Sequence, residues 1–290
     1  MLPARFNLHR PASIAEALAL LGEHGDDASP YAGGTELLIA MKARVVRFEH
    51  IVDIKRIDAL RGVTARDDGG VSIGALCTHH ELANDPLVRE RLPAYAELSA
   101  NVANIRVRAA GTIGGNLCFA EPHADPPAML CALGAEAVLA GPAGERSLPM
   151  QDFILGELTT ARADDELLRR IEVPGLPAGS RAAYRAFGHL ERPAVGVAAV
   201  AVPSGKGHAW RFFAGSICGR PTALTQVEEA MAGLPAADAL AALESVSESA
   251  ANALEAHDDL RGSADYKRHL VTVLARRTAR RVLGLAERAA

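Results

Sequence analysis

Two glycine-rich stretches, Tyr31-Ala-Gly-Gly-Thr-Glu36 and Gly111-Thr-Ile-Gly-Gly-Asn116, decide how this chain of 290 residues is interpreted. Glycine pairs permit positive φ angles and expose backbone N–H groups, and Thr35 can cap a helix that follows the first pair. Free N–H groups at a helix start bind anions. Two such turns together predict a site that holds both phosphates of a pyrophosphate.

A glycine pair alone is a weak signal in a chain with 26 glycines. A third pair, Gly69-Gly70, follows two aspartates and is predicted to be an ordinary hairpin turn. Nucleotide fingerprints of the G-x-G-x-x-G type are absent from the predicted strand-to-helix turns, as are hydrolase motifs. The specificity therefore comes from the residues that flank the first two pairs.

These flanking residues resemble one known family along the whole chain. The matching segments are Gly33-Gly-Thr-Glu-Leu-Leu-Ile-Ala-Met-Lys42, Gly111-Thr-Ile-Gly-Gly-Asn-Leu117, Ala124-Asp125-Pro126 and Arg261-Gly-Ser-Ala-Asp-Tyr-Lys-Arg-His-Leu270. In this order they resemble the FAD-binding subunit of the molybdenum hydroxylases, which include xanthine dehydrogenase and carbon monoxide dehydrogenase. The length of the chain suits a separate medium subunit of that family.

The resemblance implies an α+β fold. It consists of a two-part α/β flavin-binding domain of the PCMH type, followed by a smaller α+β C-terminal domain. We expect the two flavin-binding parts at 1–58 and 59–175 and the C-terminal flavoprotein domain at 176–290. The segment Pro174-Gly-Leu-Pro-Ala-Gly179 divides the domains and is too short for a flexible linker.

The resemblance also implies FAD as the cofactor and no catalytic side chain. The expected cofactor-binding residues are Ala32, Gly33, Gly34, Thr35, Glu36, Thr112, Ile113, Gly114, Gly115, Asn116 and Asp125. Several of them have simpler alternative roles. Thr35 and Thr112 can act as caps, Glu36 suits a helix dipole, and Asn116 can hold its own turn. Asp125 can accept from ribityl or ribose hydroxyls, cap the helix opened by Pro126, or do both.

By the same resemblance the chain is part of an oxidoreductase. A molybdopterin-binding subunit hydroxylates a small substrate, an iron-sulfur subunit passes on single electrons, and the FAD delivers them to NAD, a quinone or oxygen. Two alternatives remain open. One is a self-sufficient flavin oxidase or reductase, and the other is a cofactor-free scaffold in which the glycine turns are only structural.

One segment departs from the family pattern. In Arg181-Ala-Ala-Tyr-Arg-Ala-Phe-Gly-His-Leu-Glu-Arg192, relatives often carry a basic residue at the position of Ala186. Arg185 and His189 are the candidates to supply the missing charge near the flavin ring.

Composition excludes some functions. A net charge of -4 and a pI near 6.2 argue against a nucleic-acid surface. No transmembrane segment or leader is predicted, so the expected location is the cytoplasm. The four cysteines form no cluster, so we predict free thiols and no metal site. His79 and His80 point to different faces of one helix start, and we assign them cap or surface roles.

Local patterns predict several elements. We expect capping boxes at Ser13 and Thr78, a helix from Thr35 to Arg44, an apolar helix from Pro126 to Leu133, and a polar connection over residues 100–108. Strands are expected at 51–54, 71–75, 195–202 and 210–217.

Residues 226–260 contain no Lys or Arg, and residues 261–290 contain eight Lys or Arg against two acids. We interpret these as neighbouring helix faces that complement each other, with docking of the basic helix on a partner subunit as the alternative.

Overall fold

The computed structural model describes residues 2–188 and 192–286. Its first part contains β1 (Asn7–His9), α1 (Ile14–His24), β2 (Ala28–Tyr31), α2 (Leu37–Lys42) and β3 (His50–Asp53). The strands are parallel in the order β1-β3-β2, so β3 is central. The hydroxyl of Ser13 caps α1 by accepting from the N–H of Glu16 at 3.2 Å, but the predicted capping box is incomplete, because the carboxylate of Glu16 accepts from the N–H of Ala12 and not from that of Ser13. Helix α2 begins two residues later and ends two residues earlier than expected.

The second part is built around an antiparallel sheet with the order β4-β5-β10-β6-β7. Its elements are β4 (Val63–Ala65), β5 (Val71–Gly74), α3 (His79–Asn84), α4 (Pro86–Arg91), α5 (Pro93–Asn101), α6 (Ile105–Ala110), α7 (Ile113–Phe119), α8 (Pro126–Leu133), β6 (Glu136–Gly141), β7 (Gly144–Pro149), α9 (Met150–Phe153), β8 (Ile154–Gly156), β9 (Thr159–Thr160) and β10 (Leu167–Val173). Strands β8 and β9 pair only with each other. Gly69 adopts φ 82° between β4 and β5, as expected of a hairpin turn.

The prediction of a polar connection over residues 100–108 was wrong. Most of this stretch is helical, because α5 extends to Asn101 and α6 starts at Ile105. The side chain of Asn104 caps α6 by accepting from the N–H groups of Arg106 and Val107. The polar residues are thus helix caps and exposed helix positions.

The C-terminal part contains β11 (Arg181–Phe187), β12 (Val195–Ser204), β13 (Gly207–Gly215), β14 (Thr222–Ala223), α10 (Thr225–Met231), α11 (Ala236–Asn252) and α12 (Ala264–Val282). The strands are antiparallel in chain order. Helix α12 packs on α11 and on the sheet. Arg276 of the basic segment pairs with Glu244 of the acidic one at 2.9 Å, which agrees with the predicted complementary faces.

Strand β12 joins the C-terminal part to the rest of the molecule. Ala198 and Val200 belong to the core that includes α8, whereas Val197 and Ala199 belong to the core under α10, α11 and α12. This alternation follows from the two-residue period of a strand. The C-terminal sheet is therefore buried on both faces and packs directly against the second part. Among the described residues, no helix combines the length and the apolar composition needed to cross a bilayer.

Candidate functional site

A deep cleft lies between the first and second parts of the molecule. It encloses about 1550 Å³ of empty space, some of it continuous with solvent. The turn after β2, the start of α7 and the segment before α8 line it, and Arg192 contributes from the C-terminal part. Ten of the eleven predicted cofactor-binding residues line this cleft: Ala32, Gly33, Gly34, Thr35, Glu36, Thr112, Gly114, Gly115, Asn116 and Asp125.

The eleventh residue, Ile113, does not line the cleft. Its side chain is fully buried in the core of the second part, and its N–H donates to the carbonyl of Cys77 at 2.9 Å. Ile113 is the first residue of α7, and its side chain packs in the core and holds that end of the helix in place. Any role it has at the cleft is therefore indirect.

The first glycine turn requires glycine at both positions. Gly34 has φ 68°, a left-handed conformation that disfavours other residues, and a Cβ there would also overlap the ring of Tyr31. A Cβ at Gly33 would overlap the carbonyl oxygen of Ala110. The turn is thus pressed against the segment that leads into the second glycine stretch, so the fold brings the two stretches together.

The backbone of this turn is open toward the cleft. In the described part of the chain, the N–H groups of Gly33, Gly34, Thr35 and Glu36 donate no hydrogen bond to protein. Four consecutive unpaired N–H groups that border a cavity are suited to an anion such as a phosphate. The prediction of an anion-binding turn fits this geometry.

The second stretch is organised differently from the prediction. Gly114 and Gly115 have negative φ and lie inside α7, where positive φ was expected. The N–H of Gly114 donates to the carbonyl of Ala75, and that of Gly115 donates to the hydroxyl of the N-cap Thr112 at 3.1 Å. These N–H groups already have acceptors, so the expectation that both turns bare their N–H groups to pyrophosphate was wrong for the second.

The glycines of α7 have a steric function instead. A Cβ at Gly114 would lie 2.6 Å from the Cβ of Ala75, so glycine allows α7 to pack against the end of β5. A Cβ at Gly115 would contact only the hydroxyl of Thr112, at 3.0 Å, within the lining of the cleft. Gly115 therefore keeps the cleft wide where a ligand would approach the helix.

Two buried polar atoms near α7 lack partners. Among the described residues, neither Oδ1 of Asn116 nor Nδ1 of His79 has a hydrogen-bond partner. Both side chains line the cleft. Buried polar atoms are rarely left unpaired, and a polar ligand in the cleft is consistent with these two.

His79 was placed wrongly by the sequence argument, which favoured a cap or surface role. The capping box at Thr78 and Glu81 forms as predicted, but His79 is only 2% exposed whereas His80 is exposed. Burial, with a smaller effect from Arg108, lowers the pKa of His79 to about 4, so its imidazole is neutral. The sequence signal that was available is the spacing of three residues between His79 and the apolar Leu82, which places both side chains on one face of the helix.

Asp125 accepts a hydrogen bond at 2.7 Å from the hydroxyl of Tyr184 in β11. Its side chain does not cap α8, so that alternative was wrong. Burial raises the pKa of Asp125 to about 6, against the lowering effect of the Tyr184 hydrogen bond. The carboxyl group is therefore held by the C-terminal sheet at the wall of the cleft.

Arg192 is the cationic side chain that the sequence argument missed. It binds both carboxylate oxygens of Glu36, at 2.7 and 2.8 Å, and its second nitrogen lies 3.2 Å from Glu121. Burial raises the pKa of Glu121, but the hydrogen bond from His123 and the charge of Arg192 outweigh it and lower the pKa overall. Glu36 therefore pairs with a protein cation and does not act as a free carboxylate.

Of the two candidates for the charge missing at Ala186, only Arg185 lies among the described residues. Arg185 interacts electrostatically with Arg281, Glu97 and Arg277 and does not line the cleft. His189 lies outside the described residues. Arg192, at the end of the same segment, brings a positive charge to the cleft.

Taken together, the residues fit a dinucleotide with a diphosphate. The cleft has one turn of free N–H groups, a glycine helix start with open space above it, and two unpaired polar atoms. It also has room for a ligand larger than a mononucleotide. The four cysteines are free thiols.

Comparison with known proteins agrees with this geometry. Residues 4–176 match the family model of the FAD binding domain in molybdopterin dehydrogenase, and residues 181–282 match the CO dehydrogenase flavoprotein C-terminal domain. The chain belongs to the FAD-binding medium subunits of the molybdenum hydroxylases. It binds FAD, and it is a subunit of an oxidoreductase of the carbon monoxide and xanthine dehydrogenase type.

Relatives within this family match nearly the full length of the chain. It is 37% identical to the carbon monoxide dehydrogenase medium chain of Hydrogenophaga pseudoflava, over 99% of this chain and 98% of that one. It is 28% identical to a putative xanthine dehydrogenase FAD-binding subunit of Escherichia coli, over 93% of each. The solved carbon monoxide dehydrogenase from H. pseudoflava superposes with a TM-score of 0.94 at 34% identity, covering 98% of this chain and 99% of that chain.

The fold prediction is thereby confirmed. The medium subunit has mixed helices and sheets, with a flavin-binding part followed by a C-terminal part, as in the solved relatives. Quinoline 2-oxidoreductase from Pseudomonas putida shares the fold with a TM-score of 0.90 at 27% identity, over 98% of this chain and 99% of that chain.

Proposed function

We propose that this medium subunit carries electrons from an iron-sulfur subunit to an external acceptor, within a complex whose molybdopterin-binding subunit oxidises a small substrate. Bound FAD supplies the redox chemistry, because its isoalloxazine accepts two electrons. The protein binds and orients the cofactor. We propose that the three parts of the chain span residues 1–58, 59–175 and 176–290.

The observation that carries the proposal is the row of unpaired N–H groups from Gly33 to Glu36 at the edge of the cleft. We assign the pyrophosphate to this turn and to the space above Gly115, with Ala32 and Thr35 beside it. Thr112 holds the start of α7 and Ile113 anchors it. Gly114 allows the close packing of that helix.

The remaining polar residues are assigned to the rest of the cofactor. The side-chain amide of Asn116 and the neutral imidazole of His79 would each bond a polar atom of the ligand. Asp125, fixed by Tyr184, would accept from a ribityl or ribose hydroxyl. Glu36 would act through its ion pair with Arg192, which places positive charge beside the diphosphate.

The proposal assigns no acid, base or nucleophile to this chain. The four cysteines are scattered and unpaired, so clusters that deliver electrons would have to lie on partner chains. Free thiols are also typical of a reducing compartment, and we propose the cytoplasm. NAD, a quinone and oxygen all remain candidates for the acceptor.

Reconstitution tests this function. The purified chain with FAD should pass electrons from a chemical reductant to artificial dyes, yet oxidise none of the substrates of the complete enzyme. Adding the iron-sulfur and molybdopterin-binding subunits should restore substrate oxidation. Turnover of substrate by the chain alone would contradict the proposal and support a self-sufficient oxidase.

A further inference from the structure

Three histidines from separate segments converge on the first sheet, away from the flavin cleft. His9 ends β1, His24 ends α1 and His50 begins β3. One ring nitrogen from each can be chosen so that all three lie within 4.8 Å of one another. None of the three lines the cleft.

The fold explains why these rings meet. In the parallel pairing of β1 with β3, His9 lies opposite Val52, so both side chains point to the same side of the sheet. His50 is two residues before Val52 and shares that side. Val52 packs in the core formed with Ala17 and Leu21 of α1. The helix therefore covers this side and delivers His24 to it at its last turn.

The rings are in direct contact. Nε2 of His9 and Nδ1 of His50 are 2.9 Å apart and share a hydrogen bond, so at least one of the two rings accepts through an unprotonated nitrogen. The rings of His24 and His50 stack with centroids 3.6 Å apart. All three side chains are partly exposed, so an ion can reach them from solvent.

The charges around the cluster suit a cation. The C-terminal end of α1 presents the negative end of a helix dipole to the cluster. Glu23 adds a nearby carboxylate that interacts with His9.

We propose that His9, His24 and His50 bind one divalent transition-metal ion of the zinc class, with solvent in the remaining position. Neutral imidazole is a preferred ligand of Zn²⁺, and three histidines with an open fourth position form a known type of tetrahedral site. The stacked rings of His24 and His50 must rotate about χ2 to face one ion. This rotation costs little, because χ2 of histidine has a broad distribution. The ion would take the place of the hydrogen bond between His9 and His50, and the shared proton would move to the other ring nitrogen of the same histidine, so that both rings bind as neutral imidazoles.

Such an ion would link β1, α1 and β3 at one end of the sheet. The flavin-binding turn follows β2 at the other end, since Tyr31 pairs with Asp53 whereas Ala28 pairs with His50. The sequence prediction of no metal site considered the cysteines and the adjacent pair His79 and His80, and histidines at positions 9, 24 and 50 have no motif spacing. Only the fold brings them together.

Zinc titration tests the proposal. The full-length chain, free of any polyhistidine tag and dialysed against a chelator, is titrated with Zn²⁺ in competition with a chromophoric chelator. We expect one equivalent to bind and the melting temperature to rise. His9→Ala, His24→Ala and His50→Ala should each weaken binding at least about tenfold, as loss of a ligand requires. The matched control is His80→Ala, which removes an exposed histidine and should bind like the wild type.

A spectroscopic measurement separates this site from binding elsewhere. X-ray absorption of the zinc-loaded chain should give a shell of histidine nitrogens at about 2.0–2.1 Å. A sulfur shell at about 2.3 Å would assign the ion to cysteines and overturn the proposal. Unchanged affinity in all three histidine variants would overturn it too, as would the absence of saturable binding. If His50→Ala does not fold, His50→Gln replaces it, because glutamine keeps a hydrogen-bonding group toward His9.

Discussion

At the scale of single residues, Asp125 at the wall of the cleft has a strongly perturbed carboxyl group. Its carboxyl group accepts from Tyr184, and burial raises its pKa to about 6. The unfolded chain loses this proton near the ordinary pKa of 3.8. Between these two values the folded protein keeps a proton that the unfolded chain has released. Through Asp125, the free energy of unfolding of the FAD-free protein therefore decreases as the pH rises from about 4 to about 6.

Replacing Asp125 by asparagine should remove this dependence. The asparagine side chain cannot titrate, and its amide oxygen can still accept from Tyr184. We expect Asp125→Asn to match the wild type near pH 4 and to exceed its free energy of unfolding by about 1–3 kcal/mol above pH 6. Denaturant unfolding of both FAD-free proteins from pH 4 to pH 7 measures the difference. A constant difference across this range would contradict the assigned pKa.

The comparison must be made between the two proteins, because His79 has the opposite effect. Its pKa is lowered to about 4, from an ordinary value of 6.5. Through His79, stability is lost as the pH falls from about 6.5 toward 4, since the unfolded chain then binds a proton that the folded one refuses. In the pH profile of the wild-type free energy of unfolding, the contributions of Asp125 and His79 would partly cancel.

Residue roles could be predicted where the backbone alone decides them. Gly34 needs its left-handed φ, and this follows from a glycine turn between strand and helix. The sequence could not show that Gly114 and Gly115 lie in a helix and not in a turn. Glycine is needed there because Gly114 packs against Ala75 and Gly115 borders open space in the cleft, and both contacts depend on the tertiary fold. Arg192 was missed because its partners Glu36 and Glu121 are distant in sequence.

At the scale of elements, the start of α12 depends on one buried lysine. Lys267 is 2% exposed, and its ammonium group lies 2.7 Å from Asp259 and donates to the carbonyl of His257 at 2.9 Å. Burial raises the pKa of Asp259, but Lys267, the N–H of Arg261 and His123 outweigh it and lower the pKa to about 2. The ion pair of Lys267 and Asp259 therefore holds the loop before α12 against the helix.

Lys267→Met should therefore destabilise the chain by about 3 kcal/mol, because it leaves the carboxylate of Asp259 without its main partner. The double variant Lys267→Met/Asp259→Asn should recover part of this loss, since no unpaired charge remains. Chemical denaturation of the wild type, both single variants and the double variant gives the coupling energy. Additive single effects would show that the pair does not act as a unit.

Elements with strong local signals were predicted well. Pro126 opens α8 and the helix ends at Leu133, as expected, and the long apolar strands of the C-terminal sheet lie where their patterns indicated. The helices around residues 100–108 were missed, because their polar residues read as a loop until tertiary packing fixes them. Strand pairing within the second part involves partners up to about a hundred residues apart, such as Val71 and Val173, which no local pattern specifies.

At the scale of the whole molecule, a network of ion pairs and hydrogen bonds runs from the lining of the cleft to the start of α12. Arg192 joins Glu36 to Glu121, His123 joins Glu121 to Asp259, and Lys267 completes the network. It connects the first part, the second part and the C-terminal part. We infer that it holds the cleft at the width the cofactor needs.

Arg192→Gln should weaken FAD binding about tenfold, because Glu36 and Glu121 would face the diphosphate without their counter-ion. Added salt should restore part of the affinity of this variant by screening the like charges. The double variant Glu36→Gln/Arg192→Gln should bind more tightly than Arg192→Gln alone. Fluorescence titration with FAD at low and high ionic strength checks both expectations, and equal affinity of the single variant and the wild type would refute them.

The central claim is that the turn after β2 binds the diphosphate of FAD, and one measurement tests it most directly. Gly34→Ala and Gly69→Ala both introduce a side chain at positive φ, 68° and 82°, but only Gly34 lines the cleft. Both variants should lose about 1 kcal/mol or more of stability. FAD affinity is then measured by titrating the FAD-free wild type and both variants. We predict that Gly34→Ala binds FAD at least about tenfold more weakly, whereas Gly69→Ala binds it like the wild type. Equal FAD affinity in all three proteins would contradict the account.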